Sequence, residues 1–129
     1  MDRYRVEELM GDAKDVIVET YGAHASIKKI VRSKMSAFGA AVQMSGVLPA
    51  IAFYCNQDKP EAKKVVELLQ GLYLKMYPSK HGELFDLVNQ EIRNHREPSV
   101  TDDILCASVA LKLSLNLFQL TGDAMEGDA

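Results

Sequence analysis

Few residues in this chain stand at spacings that could do chemistry. Histidines occur at positions 24, 81 and 95, and no two fall in the H-x-x-x-H or H-E-x-x-H arrangement that sets two ligands on one helical face. Glu91 and His95 stand four apart and are expected to form a surface ion pair near a helix C-terminus, where the dipole favours a protonated imidazole. Asp102 and Asp103 are adjacent carboxylates that point to different helix faces, and capping the positive end of a helix is their expected role. Cys55 and Cys106 lie in apolar runs without C-x-x-C spacing, where a thiol pKa rises; both are expected to be buried, reduced thiols. Gly39 and Gly46 stand alone, without the lysine that completes a phosphate loop. No catalytic residue, metal site or cofactor is expected, and the chain reads as non-enzymatic.

Charge is more informative. The formal net charge of -3 conceals a segment of opposite sign, because no Asp or Glu lies between Glu19 and Asp58 while Lys28, Lys29, Arg32 and Lys34 all do. Such a block is where an anionic partner is sought, the plain alternative being a solvated basic face. On a helix, Lys28, Lys29 and Arg32 share the side opposite Ile27, Ile30, Val31, Met35, Phe38, Ala41 and Val42, and Ser36, Gly39 and Gln43 continue that outer side. Cations followed by small residues and an amide suit a phosphate backbone, and the lack of aromatic residues argues against base stacking. Charge alone favours a solvated face; the candidate residues for an anionic partner are Lys28, Lys29 and Arg32, with Lys34, Gln43, Lys63 and Lys64 as further members, and RNA contact through them is what the resemblance given below adds. Lys34 falls on the apolar side, where it must snorkel, pair or sit at a subunit contact.

Helices must position these residues. With 129 residues, 47% hydrophobic and 26% charged, the chain is sized and composed for one globular core. Apolar residues recur at helical spacing, and no alternating run of four or more β-branched or aromatic residues is present, so the expected class is an all-α, single-domain bundle of about six helices over 1–122. A first helix is predicted from Arg3 to Tyr21, ended by Gly22; a second from near His24 to the Ser45-Gly46 break; and a third, deeply buried, from Val47 to Cys55. Asp58 is read as the cap of a fourth helix that runs to about Tyr77, before Pro78. A fifth starts near Leu84 and ends before Pro98. A sixth, opened by a Ser99-x-x-Asp102 capping box, runs from near Val100 to Leu120. Ser108, Lys112, Asn116 and Gln119 draw one polar edge along it, the mark of a central helix rather than a membrane span. The acidic tail 123–129 is expected to fray. With no span, no secretory signal and too few cysteines for a disulfide framework, the expected location is cytoplasmic.

The run from Lys34 to Tyr54, KMSAFGAAVQMSGVLPAIAFY, resembles the most recognisable segment of the small α-helical subunit of Cmr-type (type III-B) CRISPR effector complexes. Ser45-Gly46-Val47 stands where that family has a polar-Gly-Leu step, and Ala50-Ile51-Ala52-Phe53 matches the stretch that follows. The resemblance is specific over about twenty residues and architectural elsewhere, and the small subunit of Csm-type complexes is a similar bundle. It implies a non-catalytic subunit of an antiviral interference complex, stacking with copies of itself beside other effector subunits and flanking guide RNA and target RNA. The alternative from a different class is a helical adaptor without a nucleic-acid role, whose Tyr73, Met76 and Tyr77 would dock a partner helix.

Overall fold

In the computed structural model, residues 2–122 are described, and they form six helices and one pair of short strands. The order is α1 (Arg3–Tyr21), β1 (Ser26–Lys28), α2 (Lys29–Ser45), α3 (Val47–Cys55), α4 (Pro60–Met76), α5 (Leu84–Arg93), α6 (Glu97–Leu115) and β2 (Gln119–Thr121). The tail 123–129 lies outside the described residues. No helix here is long and apolar enough to cross a membrane.

Helix α6 is the axis of the bundle. Its buried residues, Val100, Ile104, Cys106, Ala107, Ala110, Leu111 and Leu115 among them, face several directions at once, and it packs against α1, α2, α4 and α5. Helix α4 fills the other side of the core with Val65, Leu68, Leu69, Leu72 and Tyr73 and touches α1, α2, α3, α5 and α6. Tyr54 joins α3 to α2 by packing edge-on to Phe38, with ring centroids 5.2 Å apart, and by donating its hydroxyl to the Lys34 carbonyl at 2.8 Å.

Two glycines set boundaries that match the predicted ones. Gly22 has φ 106° and Gly46 φ 99°, conformations costly for any residue with a Cβ, so α1 ends at Tyr21 and α2 breaks from α3 at Ser45. Helix α3 is only half-buried, however: Val47, Ala50, Ile51 and Tyr54 face inward, while Phe53 is 63% exposed and Cys55 is exposed. Nine residues of apolar composition do not make a buried helix when neighbours cover only one side.

The second and sixth helices are shorter than predicted at the ends where they meet. Ser26–Lys28 is extended and pairs in parallel with Gln119–Thr121, with Ile27 opposite Leu120. Ile27 alone points inward, at 1% exposure, and an alternation of three residues is too short to show as periodicity. At the end of α6, Asn116, Leu117 and Phe118 donate to the carbonyls three residues earlier, tightening the last turn before the chain turns into β2. At the other end Pro98 falls in the first turn, where its missing N–H is harmless, so α6 starts at Glu97 rather than near Val100, and Ser99 does not open a capping box. Helix α4 likewise begins at Pro60 with Lys59 as its N-cap and no side-chain cap; Asp58 does not serve as one.

Three acidic side chains depart from their expected roles because distant cations reach them. Asp103 lies inside α6 with a side chain 7% exposed, hydrogen-bonded to the Arg5 guanidinium and accepting from the Tyr77 hydroxyl at 2.6 Å; Asp102 pairs with Arg5 at 3.2 Å. They join α1, α4 and α6 instead of capping a helix. Glu91 is buried and binds Arg96 at 2.7 Å and Lys80 at 3.1 Å, while His95 adopts φ 61° just beyond α5. Tyr73, which the adaptor reading would set on a docking face, is 1% exposed, and Met76 and Tyr77 pack against the core, the commoner place for such residues.

These interactions set tests of the fold. Hydrogen bonds from Arg96, then Lys80, hold the Glu91 carboxyl down at about 2, below its ordinary 4.5. A depressed folded-state pKa gives stability that is complete above about pH 4.5 and is lost as pH falls toward 2. Urea midpoints measured across that window should fall less steeply for Glu91→Gln than for the parent; equal slopes would refute the assignment. Backbone substitutions should split in sign. A Cβ on Gly71 would lie 2.8 Å from Val16 Cγ1 between α1 and α4, so Gly71→Ala should cost about 1–3 kcal/mol. Gly11, on the exposed side of α1, has nothing within 4 Å of that position, so Gly11→Ala should stabilise by about 0.5–1 kcal/mol in the same denaturation assay.

Candidate functional site

The N-terminal ends of α2 and α4 lie side by side, and each opens on a lysine cap, although α4 carries Glu61 in its first turn. Anionic side chains normally answer the unsatisfied N–H groups there. Here Lys28 is the N-cap of α2 and Lys59 that of α4, neither makes a capping hydrogen bond, and the first turn of α2 holds no acid. Lys29 and Arg32 follow on α2, Lys63 and Lys64 on α4. Positive side chains thus stand at two positive dipole ends.

Between the two helix starts lies a cavity of about 270 Å³, lined by Tyr21, Ser26, Ile27, Lys28, Val31, Pro60, Glu61 and Lys64. The Lys28 ammonium is 3.6 Å from the Glu61 carboxylate, whose side chain is 18% exposed. The Lys64 ammonium lies 5.5 Å from the Tyr21 ring centroid and 3.4 Å from Glu67. The Tyr21 hydroxyl is buried and has no hydrogen-bond partner among the described residues. Burial, reinforced by Glu67 and Glu61, raises this phenol to about 12, so it remains a hydrogen-bond donor across the physiological range.

Five of the seven residues picked from the sequence therefore gather at one end of the bundle. Lys28 and Lys64 line the cavity, and Lys29, Arg32 and Lys63 belong to the same two helix starts without lining it. Lys29 and Lys63 are exposed and form no ion pair among the described residues. Arg32 is held by its own neighbour, donating to Asn116 Oδ1 at 2.5 Å. Lys28 belongs to a strand rather than to the basic face of a helix, because β1 takes it out of the predicted periodicity.

The other two lie elsewhere. Lys34 is half-buried toward α3, its carbonyl taken by Tyr54. Gln43 sits eleven residues beyond Arg32, about 16 Å along the axis. With Ser36 and Gly39 it lines a groove of about 290 Å³ whose far wall is Leu105, Ser108, Val109 and Lys112 of α6. The small polar strip of α2 and the polar edge of α6 thus face each other instead of extending the basic surface. Tyr21 and Glu61 have no signal in the sequence, since only the tertiary approach of α1, β1 and α4 gives them meaning.

Of the thiols, Cys106 is buried as expected and Cys55 is not. Partial burial and the nearby Glu83 charge raise the Cys55 pKa, which slows it as a nucleophile. Among the described residues no group of three His, Cys, Asp or Glu stands together to hold a metal ion. No protein-family model, curated protein or solved structure matches the chain. Native protein should take up one equivalent of a maleimide, at Cys55, and two after denaturation, as read by intact mass; two equivalents in the native state would place Cys106 at the surface.

Proposed function

We propose that the chain is a non-catalytic helical subunit of an RNA-guided assembly that holds RNA by its phosphates through the basic end of the bundle. The observation that carries this reading is the pair of adjacent helix starts that gather Lys28, Lys29, Arg32, Lys63 and Lys64, with Glu61 the one acid in either first turn. Lys28 and Lys29 stand at a positive dipole end and the other three a turn further on, a concentration of like charge that a phosphate backbone offsets. The resemblance of residues 34–54 to the small subunit of Cmr-type CRISPR effector complexes supports the same reading, and with it a part in antiviral defence beside guide RNA, target RNA and other effector subunits. Exposed Met44, at 87%, and Phe53, at 63%, leave apolar surface around Gly46 and α3, the segment of that resemblance, where neighbouring subunits or further copies would pack.

Of the residues named as examples for an adaptor, Tyr73 is in the core, and Met76 and Tyr77 are half-buried against it. Low-salt purification of the tagged chain from its own cells should bring down RNA of uniform guide length with larger subunits in fixed proportion. Reversing Lys28, Lys29 and Arg32 to Glu should abolish that RNA. For single-stranded RNA in vitro, the slope of log affinity against log salt should become shallower by about 2, near 0.7 for each phosphate that is no longer neutralised. A stable partner without RNA, or an unchanged slope, would overturn the reading.

A further inference from the structure

The cavity between the two basic helix starts holds more than charge, and its chemistry points to the part of a nucleotide that phosphate contacts leave unused. Its walls are apolar where Ile27, Val31 and Pro60 contribute. Its polar lining comes from Ser26, Lys28, Glu61 and Lys64, and Tyr21 beside them has a buried hydroxyl without a partner among the described residues. A buried hydroxyl without a partner is an uncommon and costly feature, and an unfilled role in binding is one reason for its presence. Bare phosphate could pair with the lysines at the rim but would leave the apolar walls without a partner.

A nucleobase fits each part. Its faces are apolar, and its pairing edge sets a hydrogen-bond acceptor beside an N–H donor. Resting on the RNA-binding reading above, we propose that this cavity receives one unstacked nucleobase of the bound strand. The Tyr21 hydroxyl donates to the base's acceptor and the Glu61 carboxylate accepts from its N–H, while Lys28 and Lys64 at the rim hold the flanking phosphates. Lys28, 3.6 Å from Glu61, keeps that carboxylate neutralised beside the strand. The volume of about 270 Å³ lies at the small end of ligand sites, in keeping with one base rather than a stack of two. With Tyr21 the one aromatic residue among mostly aliphatic walls, the site is one of edge hydrogen bonding and shape more than of stacking.

The test compares a twelve-nucleotide oligouridine with an abasic sugar–phosphate strand of the same length, using the full chain and fluorescence anisotropy. Wild type should bind the base-bearing strand about tenfold more tightly than the abasic one. Tyr21→Phe and Glu61→Gln should bring that ratio close to one while leaving the salt slope unchanged. Tyr21→Phe should melt no lower than the parent, because the hydroxyl it removes satisfies nothing in the free protein. Equal affinity of wild type for both strands, with the slope still sensitive to Lys28→Glu, Lys29→Glu and Arg32→Glu, would overturn the base pocket and leave the phosphate reading standing. Failure to bind either strand would overturn both. Uridine monophosphate binding as tightly as the oligonucleotide would overturn the strand-borne base in favour of a free nucleotide.

Discussion

A helix that is apolar around most of its circumference has to be surrounded, and α6 imposes that requirement on the rest of the chain. Ile104, Cys106, Ala107, Ala110, Leu111 and Leu115 cannot all face one neighbour, so α1, α2, α4 and α5 each take a side. The small residues matter as much as the large ones. Ala107, Ala110 and Ser114 are fully buried and let neighbouring helices approach closely, with the Ser114 hydroxyl donating to the Met10 carbonyl of α1 at 3.3 Å. Where α6 is polar, the bundle opens: the groove along Ser108 and Lys112 is the place at which α2 contributes Ser36, Gly39 and Gln43 instead of large apolar side chains.

Enclosing α6 also traps a charge. Asp103 is 5% exposed, and a carboxylate in that position is tolerable only with charge-assisted and neutral donors together, which Arg5 and Tyr77 supply from two other parts of the bundle. The two cationic partners of Glu91 play the same part near α5. Both clusters specify which helix ends meet more sharply than apolar packing does, because a slip of one turn would strand a buried charge. They also engage three of the eighteen acidic residues, Asp102, Asp103 and Glu91. The acid pair at 102 and 103, the most suggestive carboxylates in the sequence, is occupied by the fold.

How far the sequence reveals this arrangement depends on the range of the forces involved. Boundaries set by one residue's backbone are legible: Gly22 and Gly46 stop α1 and α2 where sequence reasoning stops them. Boundaries set across the fold are not. The start of α2 and the end of α6 are decided by three-residue strands that pair across some ninety positions, and neither strand has a pattern of its own. Charge follows the same division. The lysines and Arg32 stand out as a group because they lack nearby acids in sequence, whereas Glu61 enters the site from α4 and Tyr21 acquires a buried, unpartnered hydroxyl only when β1 closes over it. Nearness in sequence puts Lys34 with the basic group and helical arithmetic puts Gln43 there; the packing of α3 and α6 takes both out of it.

The balance at the basic end can be argued from magnitudes. A cation in the first turn of a helix costs about 0.3–1 kcal/mol at the surface, the counterpart of what an acid contributes there. Lys28, Lys29 and Lys59 stand at two such starts, with Arg32, Lys63 and Lys64 a turn further on, and together they weigh against the marginal stability of a domain this size. Glu61 and Glu67 relieve part of it through Lys28 and Lys64. The rest is spread over exposed side chains, where salt screens it and a polyanion would reverse its sign. A stability defect that a ligand converts into affinity concentrates at binding sites. In this bundle it coincides with a cavity whose one buried donor is also unsatisfied, so the electrostatic and hydrogen-bonding deficits of the free protein lie in the same small region.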